Sequence, residues 1–149
     1  MRIRWSKGRV SGWVQRYLPR FLAVAWAAFA AATAVAYIGL VPPQLEAVDG
    51  AISVPVWLLW AVATIALLFG SLVPSGASER TRDVARWSRI TGMGIITAEL
   101  VIWAIAFFFD QPRGWVTGKN YGMLALMAMF ATWTIARDRA QSGVVRSGH

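Results

Sequence analysis

Residues 90–109 read ITGMGIITAELVIWAIAFFF, twenty positions with one charge, Glu99, at their centre. At 1.5 Å rise per residue, a helix of that length crosses the ~30 Å hydrocarbon core of a bilayer, so the stretch predicts a transmembrane helix. A carboxylate at mid-span costs roughly 2.5 to 3.5 kcal/mol on insertion scales. The same run holds ten Ile, Leu, Val or Phe residues. Each contributes about −0.3 to −0.6 kcal/mol, so together they offset the acid. The helix can insert with Glu99 in place.

Three further blocks have the same character. They are residues 21–41, 54–73 and the shorter 121–136, in a chain of 149 residues that is 57% hydrophobic and 15% charged. Long segregated blocks, as opposed to stripes, predict an all-α polytopic membrane protein: a single domain over 1–149, built as a bundle of four transmembrane helices. The sixteen residues of the fourth block fall just short of the usual span of about 17–25. That span is expected to thin the bilayer locally or to draw on Trp115 and Val116. Pro42 and Pro43 are expected to stop the first helix, and Pro55 to sit in the first turn of the second. The first block has a basic leader and an AVA triplet at 34–36. Its apolar stretch is longer than the about 7–15 residues of a signal h-region, which favours an uncleaved span.

The charges lie between the blocks. The N-terminal segment 1–20 carries Arg2, Arg4, Lys7, Arg9, Arg16 and Arg20. The connection 74–89 carries Arg80, Arg82, Arg86 and Arg89, and the tail 137–149 carries Arg137, Arg139 and Arg146. The first connection holds Glu46 and Asp49, and the third holds Arg113 and Lys119. Thirteen of the fifteen basic residues therefore fall in three segments that a four-span chain puts on one side. By the positive-inside rule both termini are cytoplasmic. The net charge of +8 is then a topology signal and a binder of anionic headgroups, not a nucleic-acid footprint. Trp13, Tyr17, Trp87 and Trp133 fall near the expected inner ends, and Tyr37, Trp57, Trp115 and Tyr121 near the outer ends, as in an interfacial aromatic belt.

The chain has no cysteine, and its one histidine, His149, is the last residue. Thiolate metal sites, disulfides and intramembrane haem ligation are excluded on that basis, and most nucleophile–base pairs with them. No cofactor, no metal and no enzymatic activity are expected. From Val10 to Phe21, apolar residues at helical spacing stand opposite Arg9, Arg16 and Arg20, which resembles an interfacial amphipathic helix that Pro19 kinks or interrupts. It serves either as a topology anchor or as a headgroup-binding segment. In the first span Ala23, Ala27 and Ala31, and again Ala28, Ala32 and Ala36, repeat at four-residue spacing. Small residues so placed let helices approach closely, within one bundle or between subunits. Gly92, Gly94 and Ala98 offer a similar face in the third span.

No Lys or Arg occurs inside any block, so Glu99 must be protonated, hydrogen-bonded to a neutral group, or wetted. Helical spacing puts Gly92, Ile95, Ile96, Ile102, Trp103 and Ala106 on its face. Candidate partners on other spans are Thr33, Thr64, Ser71, Thr132, Thr134 and the indoles of Trp26 and Trp60. Glu99 is expected to fix bundle register, to line a subunit contact or a water-filled lesion, or to couple protons to transport.

Three classes of membrane protein fit such a chain. A small proton-coupled transporter would resemble the small multidrug resistance family, which places its glutamate in the first span where this chain has it in the third. A host accessory or assembly subunit would dock a partner, usually through soluble loops, which are short here. The third class carries a resemblance. WVQRYLPRFLAVAW, VPVWLLWAVATIALLFGSL, SERTRDVARWSR and ATWTIARDRA, with the absence of cysteine and an Arg-for-Lys, alanine-rich composition, resemble the four-span holins of actinobacteriophages in layout. That resemblance implies a homo-oligomer that permeabilises the cytoplasmic membrane, paired functionally with an endolysin, to bring about host lysis.

Overall fold

The computed structural model describes residues 7–40, 42–51, 54–74, 76–110 and 114–144, with side chains between Tyr17 and Arg137 except at 47–49, 51 and 110. Every regular element among them is helical: α1 (Lys7–Ala36), α2 (Pro43–Ala51), α3 (Val56–Leu72), α4 (Glu79–Asp110) and α5 (Gly114–Val144). Two stretches are long and apolar enough to cross a membrane, Tyr17–Ala36 and Glu79–Phe109, and α3 is a shorter apolar helix.

The helix ends follow local chemistry. Gly39, at φ +75°, supplies the left-handed turn that lets the chain leave α1. The two prolines expected to stop that helix lie beyond this turn, and Pro43 instead opens α2, where its missing N–H has no helical partner to lose. Pro55 lies just outside α3 as its N-cap, with ψ at 135°. Val73 is extended at the other end, as the residue before Pro74 must be. Ser78 starts α4 by accepting a hydrogen bond from the Thr81 amide at 3.2 Å.

Several sequence expectations are corrected. Residues 79–89, part of the expected connection 74–89, are the first three turns of α4, because Arg, Glu and Ala are good helix formers whatever their hydropathy. Pro19 does not interrupt α1, so no separate amphipathic helix precedes the first span. The fourth apolar block is the middle of a helix of 31 residues that takes in Trp115 and Val116, one of the two ways expected for so short a block to be extended. The nine-residue α2 lies in the acidic first connection, where no helix is expected from the sequence; Leu45, fully buried, holds it to the bundle beside α4.

The long helices pack in sequence order around a closed ring. α1 lies on α3, α3 on α4, α4 most closely on α5, and α5 returns to α1. Neighbours run antiparallel. Gly70 of α3 faces Ala85 and Arg89 of α4, while Gly92, further along α4, faces Ala63 and Leu67, earlier in α3. Each helix gives one face to the core at 3.6-residue spacing: Ala23, Ala27, Ala30 and Ala34; Trp60, Ala63 and Leu67; Met93, Ile96, Leu100 and Trp103; Ala125, Ala128, Ala131 and Ile135. Alanine on α1 and α5 brings those helices close, and the indoles of α3 and α4 fill the space between. The outward faces are also apolar, with Val35, Ile65, Leu72, Phe109, Leu126 and Phe130 all well exposed.

Candidate functional site

Glu99 lies on the inward face of α4, 5% exposed, between fully buried Ile96 and Leu100 and the nearly buried Trp103. Gly92, Ile96 and Trp103 are buried with it, and Ile95, Ile102 and Ala106 are half-buried. The face expected from helical spacing is therefore the core face. The nearest arginine on its own helix, Arg89, is ten residues back, about 15 Å along the axis.

The neutral partners divide sharply. The hydroxyl of Thr33 donates to the Phe29 carbonyl at 2.8 Å, and that of Thr64 to the Trp60 carbonyl at 2.8 Å. Ser71 donates to Leu67 at 2.7 Å, Thr132 to Ala128 at 2.8 Å and Thr134 to Phe130 at 2.9 Å. All five are engaged one turn back on their own helices, the usual resort of a hydroxyl in an apolar span. The carboxyl of Glu99 instead lies against the indole of Trp60. The Trp60 Nε1–H is buried and makes no hydrogen bond.

Trp60 and Trp103 also anchor a continuous aromatic line. Trp26 meets Phe29 at 5.5 Å, Phe29 meets Trp60 at 5.8 Å, and Trp60 meets Trp103 at 5.4 Å, all edge to face. Trp103 continues to Tyr37 at 4.8 Å and to Tyr121 at 5.2 Å, and Tyr121 stacks on Phe107 at 5.4 Å. Such pairs add about 0.5–1.5 kcal/mol each beyond their area. The line ties all four long helices together around the acid. Tyr37 and Tyr121, expected in an interfacial belt, belong to this inward cluster. Trp87, Trp115 and Trp133 are exposed as a belt requires, Tyr17 is also exposed, and Trp57 is half-buried. The side chain of Trp13 lies outside the described residues.

The small-residue faces resolve in the same way. Ala23 and Ala27 are buried as expected, but the α1 core continues through Ala30 and Ala34. Ala31 is half-buried, while Ala28, Ala32, Ala36, Gly94 and Ala98 point away from the bundle. Gly70 and Gly118, not singled out from the sequence, sit at the closest helix crossings. Their signal was glycine inside an apolar helix, where it weakens the helix unless a neighbour needs the room.

Of the basic residues, Arg80, Arg82 and Arg137 are exposed, the last over the Trp133 ring at 4.3 Å. Three others turn inward, unlike headgroup ligands. Arg20 donates to the Val73 carbonyl at 3.3 Å, Arg86 donates to the Ala136 carbonyl at 2.6 Å, and Arg89 is 7% exposed beneath Gly70. Arg20 thereby braces α1 to the end of α3, and Arg86 braces α4 to α5. Arg2 and Arg4, and the side chains of Lys7, Arg9, Arg16 and Arg139, lie outside the described residues. Arg86→Gln is expected to lower stability by about 1.5–3 kcal/mol, the range for a charged donor, in thermal unfolding of the detergent-solubilised protein. Arg80→Gln, which removes an exposed charge, is expected to leave it within about 0.5 kcal/mol.

Comparison with known proteins finds no family model, no curated protein and no solved structure that matches this chain.

Proposed function

We propose that the chain is a holin-like, non-enzymatic protein of the bacterial cytoplasmic membrane. α1, α3, α4 and α5 cross the bilayer with both termini inside, and copies associate into a lesion that releases an endolysin and lyses the host. The observation that carries this reading is the position of Glu99. In the closed bundle the carboxyl is shielded from lipid by Trp60, Trp103 and the core of α4, so a monomer tolerates it. Once helices part and water enters, the same group becomes a favourable lining for an aqueous path.

Further features support the membrane placement. Helices apolar on both their inward and outward faces suit lipid. On α5 the Lys119–Trp115 pair (5.5 Å) and the Arg137–Trp133 pair mark two polar–aromatic edges. Eighteen residues separate the two indoles, about 27 Å of helix, which matches the hydrocarbon thickness. Thirteen of fifteen basic residues at one side favour a single orientation, and the sequence resemblance supplies the lytic role.

The test is inducible expression in a bacterium, following membrane potential and dye entry. The wild type is expected to depolarise cells abruptly after a delay, and Glu99→Gln to shift the onset severalfold or abolish it. Normal growth and intact potential with abundant protein in the membrane would exclude the lytic role. A host accessory subunit would then be the better reading.

A further inference from the structure

Among the described residues, Glu99 and Trp60 both turn into the bundle core, one 5% and the other 0% exposed. The carboxyl lies against the indole, and the indole N–H has no other partner. Every hydroxyl weighed as an alternative donor is bonded to its own helix. Phe29 and Trp103 meet the Trp60 ring at 5.8 and 5.4 Å and hold it edge to face, so the ring has little freedom to turn its N–H elsewhere. A buried donor left unmade is costly, and a small rotation of the longer, unbranched glutamate side chain closes the bond.

We infer that Trp60 is the positioning residue for Glu99: its indole N–H holds the carboxyl turned into the core against α3, and release of that bond frees the acid for water. This deepens the permeabilising reading and rests on it for its consequence in cells. The pairing itself is measurable on the purified chain. A donated hydrogen bond lowers the nucleophilicity of the carboxyl oxygen and fixes its direction, so the acid should react slowly while the bond is in place.

The experiment uses the full-length protein in phosphatidylcholine vesicles and a hydrophobic carbodiimide. That reagent adds whole to a carboxylic acid: the carboxyl oxygen bonds to the central carbon, the proton passes to nitrogen, and nothing leaves. Modification of Glu99 is followed by peptide mass. Trp60→Phe keeps an aromatic ring and removes the N–H. Replacing Trp60 by its benzothiophene analogue removes the N–H with almost no change in shape, and so decides the matter if Trp60→Phe does not fold. Both are expected to raise the rate about fivefold, the factor a single net hydrogen bond represents. Val62→Ala, on the outward side of α3, leaves the ring and its N–H in place and is expected to react at the wild-type rate. Equal rates for the wild type and the benzothiophene protein would overturn the inference, as would an equal acceleration by Val62→Ala. In cells, Trp60→Phe is expected to advance depolarisation in the wild type and to add nothing in a Glu99→Leu background. A Trp60 that serves packing alone would act equally in both backgrounds. If no variant depolarises cells while the rate difference in vesicles persists, the permeabilising reading fails and the Trp60–Glu99 pairing stands.

Discussion

Gly118→Val is expected to separate α4 from α5 and to prevent the protein from accumulating as a folded bundle. A Cβ at Gly118 would meet the Ala104 carbonyl oxygen at 2.9 Å, the Phe108 amide nitrogen at 3.0 Å and the Phe108 Cα at 3.1 Å. All three are backbone atoms of a regular helix, so nothing can swing aside. The helices themselves must move apart along the most extensive helix–helix contact in the bundle. Overpacking a core against mobile side chains costs about 1–3 kcal/mol, and this site lies at or above the upper end of that range. Gly122→Val one turn later is the control: a Cβ there meets nothing within 4 Å, and the helix-propensity change is the same. Thermal unfolding in detergent should leave Gly122→Val close to the wild type and Gly118→Val far below it. Matching midpoints would show that α4 and α5 do not cross at Gly118.

Trp60→Ala has the second largest expected effect, a loss of about 3–5 kcal/mol. The side chain is fully buried and joins Phe29 of α1 to Trp103 of α4, so its removal breaks the aromatic line at its middle and leaves an indole-sized void. A purely apolar void stays dry, but this one is walled by a carboxyl, which gives entering water a partner. Two readouts should therefore move together: a lower unfolding midpoint, and in cells depolarisation earlier than the wild type at equal protein level. Val62→Ala on the outward side of α3, 44% exposed, should change neither by much.

What was legible in the sequence was the position of the apolar helices and the set of residues that share a face with Glu99. Both follow from hydropathy and helical periodicity. The partner was legible only as one of seven candidates, because spacing along one helix says nothing about which neighbour lies across the core. The helix limits were read too tightly. Hydropathy reports which residues suit lipid, whereas helix formation continues through polar sequence, as in the first three turns of α4 and in α5 on either side of its apolar block. The alanines of α1 show a related limit. Ala23 and Ala27 were found, but a strict four-residue repeat drifts from the true 3.6-residue stripe, which passes through Ala30 and Ala34 and leaves Ala28, Ala32 and Ala36 outside. The inward arginines were misread because charge counting takes no account of backbone carbonyls, which hold Arg20 and Arg86 at Val73 and Ala136.

Under the proposed function, the core around Glu99 is dry in the resting bundle and wet once the membrane is permeable. The chain has no native cysteine, so one introduced thiol is the sole target for a membrane-impermeant maleimide. Ile96→Cys places it one turn from Glu99 at a fully buried position and leaves the carboxyl in place. Labelling would be followed in cells before and after depolarisation. The expected result is an unreactive thiol at rest that reacts within the interval in which the potential collapses. A thiol that reacts from the outset, or one still protected in fully depolarised cells, would contradict a sealed core that opens to water.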